Sequence, residues 1–163
     1  MGTWNTRTLR AAGKLQEVTH EMDRYRRKIL GLCEMRWKHF GETTTEEGHK
    51  VFFGGKKDKD EHGVGFLVHK DIVNTIMGCC QVSSRLITIY LRAVPFNITI
   101  VKVYTPMSDY GDNETEDFCD QLQNVTDQTP KKDILLCKET GMHKWAKMLV
   151  ETGMARHLWT LQH

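Results

Sequence analysis

The sequence predicts an α/β fold of two mixed β-sheets packed face to face, with helices outside. Three observations predict it. Ile29 to Cys33 is an apolar run with the length and bulk of a buried strand, and it follows a helical stretch with almost no loop. Ile98, Ile100, Val101 and Val103 form a largely β-branched run, as in a strand covered on both faces. Helices separate some of the strand signals and tight turns separate others, which calls for parallel and antiparallel pairing together.

Thr3-Trp4-Asn5 reads as the tail of a first strand. Gly13 precedes a helix from Lys14 to about Lys28, with Leu15, Val18, Met22 and Tyr25 as its apolar stripe. The Ile29 strand then lies parallel to the first strand. Gly41 to Gly48, with Thr43, Thr44 and Thr45, reads as a polar loop. Lys50 to Phe53 is a short strand, Gly54 to Gly63 a charged turn, and Val64 to Val68 its hairpin partner. Further strands are predicted within Arg85 to Arg92 and Phe96 to Tyr104, linked tightly through Val94-Pro95. A second helix runs from Asn113 to about Gln128 on a Thr115, Phe118, Leu122, Val125 stripe. Its acidic first turn (Glu114, Glu116, Asp117) suits the positive helix N-terminus. Thr129-Pro130 ends it, and Ile134 to Cys137 starts another buried strand.

The 163 residues suffice for one domain with a real core. With 27% charged and 39% apolar residues the composition is that of a soluble globular chain. There is no run of ~20 apolar residues and no apolar leader, so neither a membrane span nor secretion is expected. Five cysteines in odd number, without a C-x-x-C pair, read as reduced thiols of an intracellular protein, nuclear or cytoplasmic, with no disulfide partner. The histidines lack zinc-ligand spacing. A net charge of +2 does not argue nucleic acid, but its distribution bears on it. Arg24, Arg26, Arg27 and Lys28 form one basic cluster and Lys56, Lys57 and Lys59 another, while 109–127 is acidic. A basic face would neutralise phosphates; for Arg24 to Lys28 a solvated helix end is the favoured reading.

Glu34 ends the buried Ile29 strand, with Arg36 and Trp37 after it. An acid there is costly to desolvate unless a cation or hydrogen bonds meet it, and ligand sites of α/β folds lie off strand ends. The alternative is a strand end reaching water.

Five stretches in order, W-N-x-R-T at Trp4, E-x-R-W at Glu34, G-V-G-F-L-V at Gly63, P-F-N-I-T-I at Pro95 and V-Y-T-P at Val103, resemble the endonuclease/exonuclease/phosphatase superfamily. Within it they are most similar to the apurinic-type endonucleases of RTE/BovB-type retrotransposons and the related craniofacial development protein 2-like sequences. The resemblance runs from about Gly2 to Leu136. It implies a four-layer α/β sandwich, incomplete here, and a Mg²⁺-dependent DNA endonuclease. By the same resemblance Glu34 is the metal ligand, Asn5 positions the metal or the scissile phosphate, Tyr104 donates to the phosphate, and Arg36 and Arg7 meet the phosphate backbone. Structural alternatives are a strand-end tyrosine for Tyr104 and a surface ion pair with Glu34 for Arg36.

The resemblance breaks after Leu136. The family's strand runs into G-D-W-N-A, whose Asp and Asn position the attacking water; here C-K-E-T-G-M-H-K-W follows, and no S-D-H motif occurs. Residues 1–136 therefore read as a partial domain and 137–163 as an atypical tail. One reading of that tail is a shifted frame. Moving the frame by one nucleotide forces Ala at Met142-His143 and Gly at Trp145-Ala146. It restricts Glu139-Thr140 to Asp or Asn and permits Q-G-D-W-N-A-Q-V-G. The other is a genuine amphipathic helix over Met142 to Met154. Weak or absent Mg²⁺ binding and an enzyme that is inactive or nearly so are expected. The alternatives are a non-catalytic remnant that binds nucleic acid, or a module binding a protein partner through the tail. Oligomeric state is open.

Overall fold

The computed structural model describes residues 1–58, 61–105 and 111–140. Among these residues nine strands and two α-helices follow one another: β1 (Gly2–Asn5), α1 (Lys14–Arg24), β2 (Ile29–Cys33), β3 (Phe40–Thr44), β4 (Lys50–Gly54), β5 (Val64–Val68), β6 (Ile76–Ser83), β7 (Leu86–Leu91), β8 (Ile98–Tyr104), α2 (Asp112–Gln128) and β9 (Ile134–Thr140). A 3₁₀ helix, Lys70–Thr75, leads into β6. One sheet has the order β1-β2-β5-β4-β3, the other β6-β7-β8-β9. β1 with β2 and β8 with β9 are parallel pairs, and the remaining pairs are antiparallel.

Side-chain alternation builds four layers from this order. Ile29, Cys33, Phe52 and Phe66 of the first sheet meet Ile87, Ile89, Ile100 and Tyr104 of the second in the central core. The intervening β2 and β5 residues Leu30, Leu32 and Leu67 face outward and are covered by Val18 and Met22 of α1. On the far side Val101, Val103 and Leu135 are covered by Phe118, Leu122 and Val125 of α2. Each helix thus buries the apolar stripe its sequence carries against the sheet that flanks it.

Lys102 is fully buried on the central face of β8 between Ile100 and Tyr104, and its Nζ donates to the Val103 carbonyl at 3.2 Å. Its stem crosses Gly31 of β2. A Cβ at Gly31 would lie 2.6 Å from the Lys102 Cδ, so the missing side chain on one sheet makes room for the long one on the other.

Four elements differ from the sequence-based expectation. Helix α1 stops at Arg24 rather than Lys28, because Arg26 takes a left-handed turn at φ 50°. Tyr25 therefore leaves the stripe and is 56% exposed. The expected loop at Gly41 to Gly48 is instead mostly strand: Phe40–Thr44 pairs with Lys50–Gly54 at the sheet edge. Strand β6, a half-exposed edge strand with two register shifts, was not expected. Strand β9 continues four residues past Leu136, in register with β8 as far as Tyr104 opposite Thr140. The tail helix over Met142 to Met154, the shifted-frame reading beyond Thr140, and Pro106 lie outside the described residues. No described helix is long and apolar enough to cross a membrane.

Candidate functional site

Parallel pairing brings the C-terminal ends of β1 and β2 to one edge of the first sheet, with Asn5 opposite Cys33 and Glu34 next in the chain. Thr6 locks this edge, donating both its backbone N–H (3.1 Å) and its hydroxyl (3.0 Å) to the Cys33 carbonyl. The C-terminal end of β8 reaches the same edge from the second sheet. There the Tyr104 hydroxyl donates to Glu34 Oε1 at 2.9 Å. Acid and phenol are 70 residues apart in sequence and joined across the sandwich. The phenol is buried, and that burial, then the hydrogen bond and the charge of Glu34, pushes its pKa up to about 12. It stays a proton donor throughout the physiological range.

Asn5 is exposed, and its Oδ1 accepts the Arg7 backbone N–H at 2.9 Å. An amide oxygen has a second lone pair, so this turn leaves it able to accept or ligate again. The Arg7 and Arg36 side chains are exposed. Their backbones are tied into the site, Arg7 through Asn5 and Arg36 through its N–H to the His62 carbonyl at 2.9 Å. Glu34 is engaged by Tyr104 rather than by Arg36.

Two residues that sequence reasoning passed over join this edge. The His62 ring lies 5.8 Å from the Tyr104 ring, and the Arg85 guanidinium sits 5.5 Å over the Tyr104 face and 3.4 Å from His62 Nε2. Burial, then Arg85 and Lys56, hold the His62 pKa below its ordinary value, favouring the neutral ring. Only the H-G-V-G context of His62 was a signal; Arg85 had none. Arg7, Glu34, Arg36 and His62 all have φ between 53° and 58°. Non-glycine residues seldom adopt this region, and such strain clusters at functional sites.

A second polar cluster lies at the opposite end of the first sheet. Asp23, His49 and His69 place one potential ligand atom each within 4.8 Å of one another. His49 Nδ1 accepts the Lys70 N–H at 3.1 Å, and His69 Nδ1 accepts the Asp71 N–H at 3.2 Å. The Nε2 atoms lie on the other side of each ring. Those are the atoms facing Asp23, at 3.8 and 3.3 Å. His69 Nδ1 also lies 3.2 Å from a carboxylate oxygen of Asp71.

No family model matches the chain. It is 35% identical to craniofacial development protein 2 of Tragulus javanicus and of Bos taurus over 135 residues, 83% of this chain. The chain spans 23% and 22% of the length of these two relatives. Among solved structures it resembles D. rerio TDP2 complexed with single-strand DNA product (TM-score 0.59, 11% identity, 95% of this chain and 70% of that one). It also resembles the endonuclease domain of TRAS1, a telomere-specific non-LTR retrotransposon (TM-score 0.56, 16% identity, 93% and 69%). A third is an endonuclease/exonuclease/phosphatase family protein from Leptotrichia buccalis C-1013-b (TM-score 0.56, 9% identity, 92% and 71%). Over these 135 residues the chain is a homologue of craniofacial development protein 2, built on the fold of the endonuclease/exonuclease/phosphatase superfamily.

Proposed function

We propose that the chain binds nucleic acid at a Mg²⁺-dependent phosphodiester site of retrotransposon descent, centred on Glu34, and turns it over slowly. The observation that carries this is the Tyr104–Glu34 hydrogen bond at the shared strand edge, with Asn5 beside it. Two of the structural relatives support it by what they are: an endonuclease domain and a protein seen with single-strand DNA product.

The residues fit a hard divalent cation. Glu34 is half-buried and commits Oε1 to Tyr104, leaving Oε2 as a carboxylate ligand, and Asn5 offers an amide oxygen. When bound, the ion supplies charge that polarises the phosphodiester and stabilises the leaving oxygen. The protein does the rest. Tyr104, neutral because of its high pKa, holds Glu34 in place with its single O–H, and donates to a phosphate oxygen only when that proton swings from the acid to the substrate. Arg36 and Arg7 meet the flanking phosphates. His62, its pKa lowered and its Nε2 against Arg85, flanks the same edge.

Slow turnover follows from the sequence after Leu136, where C-K-E-T-G-M-H stands in place of the family's water-positioning Asp/Asn pair. A positioned acid or base contributes about 10²–10⁴-fold, so losing one leaves binding stronger than chemistry. That same observation favours a second reading, binding without cleavage. Incubating wild type and Glu34→Ala with an abasic duplex, with and without Mg²⁺, tests both. Slow Mg²⁺-dependent nicking that Glu34→Ala abolishes supports the first. Equal nicking by the two proteins rejects it, and salt-dependent binding with no nicking supports the second.

A further inference from the structure

The P-F-N-I-T-I stretch takes no part in the Glu34 edge. Its first residues form the loop between β7 and β8, which enters β8 at Ile98, the far end of that strand from Tyr104. Apolar side chains gather there in water. Val94 is 94% exposed, Phe96 49%, and Ile134, paired with Ile98 at the start of β9, 38%. Asn97 fixes their places. Its Oδ1 accepts the Ala93 N–H at 3.3 Å, closing the loop, and its carbonyl accepts the Ile134 N–H at 2.9 Å, tying the loop to β9. The Arg92 N–H, bonded to the Thr75 carbonyl at 2.7 Å, anchors the other side. Single exposed apolar residues are ordinary, whereas a group of them on a braced tip marks an interaction surface. Cations rim the tip. Arg92 precedes it, and Lys131 and Lys132 lie in the turn into β9, which the Asp133 N–H closes onto the Pro130 carbonyl at 2.9 Å. All three are exposed, and none makes an ion pair among the described residues. Two acids share this end: Asp133 is half-buried, and Asp127 near the end of α2 accepts from Gln123 at 2.7 Å.

We propose that this tip docks the protein on an anionic bilayer surface. Val94 and Phe96 sink into the boundary between headgroups and acyl chains, and Arg92, Lys131 and Lys132 lie over acidic headgroups. The shape favours a soft partner. The Val94 side chain stands clear of its own protein, so a flat rigid surface would touch little more than its summit, while a bilayer closes around it. An apolar insertion and a basic rim are each weak alone, and together they hold a peripheral protein. The chain then lies on the membrane without crossing it, in keeping with the absence of a spanning helix among the described residues. Since Tyr104 ends β8 at the opposite end, the Glu34 edge is left facing water. Nothing in this proposal depends on the phosphodiester reading of that edge.

The test is co-sedimentation of the full chain with vesicles of phosphatidylcholine alone and of phosphatidylcholine with one-third phosphatidylserine. A cation near an anionic surface strengthens binding about five-fold. Asp133 and Asp127 offset part of this, so wild type should prefer the mixed vesicles by at least roughly ten-fold, less at high salt. Lys131→Gln/Lys132→Gln should lose about 25-fold on the mixed vesicles and nothing on the neutral ones. Val94→Ser should lose roughly ten-fold on the mixed vesicles, at a position too exposed for the change to disturb the fold. Absence of binding to the mixed vesicles overturns the proposal, as does equal binding to both kinds. So does a Val94→Ser protein or a lysine double variant that binds like wild type. Sedimentation velocity without lipid covers a protein partner: a wild-type dimer that Val94→Ser renders monomeric assigns the tip to a second copy and overturns the bilayer. None of these substitutions touches the Glu34 edge, so either reading can fail while the other stands.

Discussion

The Tyr104 hydroxyl donates to Glu34 Oε1 at 2.9 Å, joining the last residue of a strand in one sheet to the residue just after a strand in the other. The charge on Glu34 helps keep the phenol protonated, so Glu34→Gln should lower the Tyr104 pKa from about 12, leaving burial as the main cause of elevation. Spectrophotometric titration near the tyrosinate band, with Tyr104→Phe as the blank, reads the shift. A titration unchanged by Glu34→Gln would mean that the bond does not form in solution. Tyr104→Phe itself should cost about 1–2 kcal/mol in urea unfolding, the low side for a hydrogen bond to a charged group because Glu34 keeps access to water.

Acid should destabilise the fold through its histidines. His49 and His62 both have folded-state pKa values below the ordinary 6.5, chiefly because burial disfavours the charged ring. For His49, Asp23 pulls the other way, while His69 and Lys70 add to the lowering; Glu47 also opposes it. The unfolded chain then binds more protons than the folded one at acid pH. The stabilisation is therefore complete above about pH 6.5 and is lost as the pH falls below it. A melting temperature that drops from pH 7.5 to pH 5.5, with a smaller drop in His49→Gln, is expected. A rise on acidification contradicts this assignment.

Gly55→Ala should be costly for a single methyl group. Its Cβ meets the Trp37 carbonyl, a backbone atom that cannot swing aside. Overpacking of this kind costs about 1–3 kcal/mol. Chemical denaturation measures it, and the quenching of Trp37 by acrylamide should rise as the loop is displaced. Gly13→Ala makes no comparable clash, since nothing lies within 4 Å, and pays only for its φ of 81°.

The helix α1 stripe ends at Met22, so Met22 and Tyr25 should respond oppositely to truncation. Met22 is fully buried against the outer face of the first sheet, and Met22→Ala should cost about 2–5 kcal/mol. Tyr25→Ala should stay within about 0.5 kcal/mol, as for an exposed side chain. Comparable losses for the two would restore the longer helix that the periodicity suggested.

That contrast marks where the sequence was legible. β2 and β8 announced themselves because strands covered on both faces are apolar at nearly every position. Glu34 stood out for the same reason, as an acid directly after such a strand. The edges were silent. β3 exposes four of its five residues and reads as a polar loop, and β6 alternates weakly around two register shifts. Their pairing is decided by neighbours rather than by their own residues. Helix α1 was overextended because the basic residues after Arg24 have good helix propensity, while the left-handed Arg26 that ends it leaves no mark in residue type. His62 and Arg85 come to Tyr104 from different strand ends, and no spacing in one chain reveals such a meeting.

The contact of Gly31 with Lys102 has a consequence for how homologous chains can diverge. A side chain at position 31 needs the volume the lysine stem now fills, and neither sheet can yield while the other is packed against it. Substitutions at 31 and 102 should therefore be tolerated as a pair and selected against singly, a linked exchange visible as correlated variation wherever enough sequences are compared.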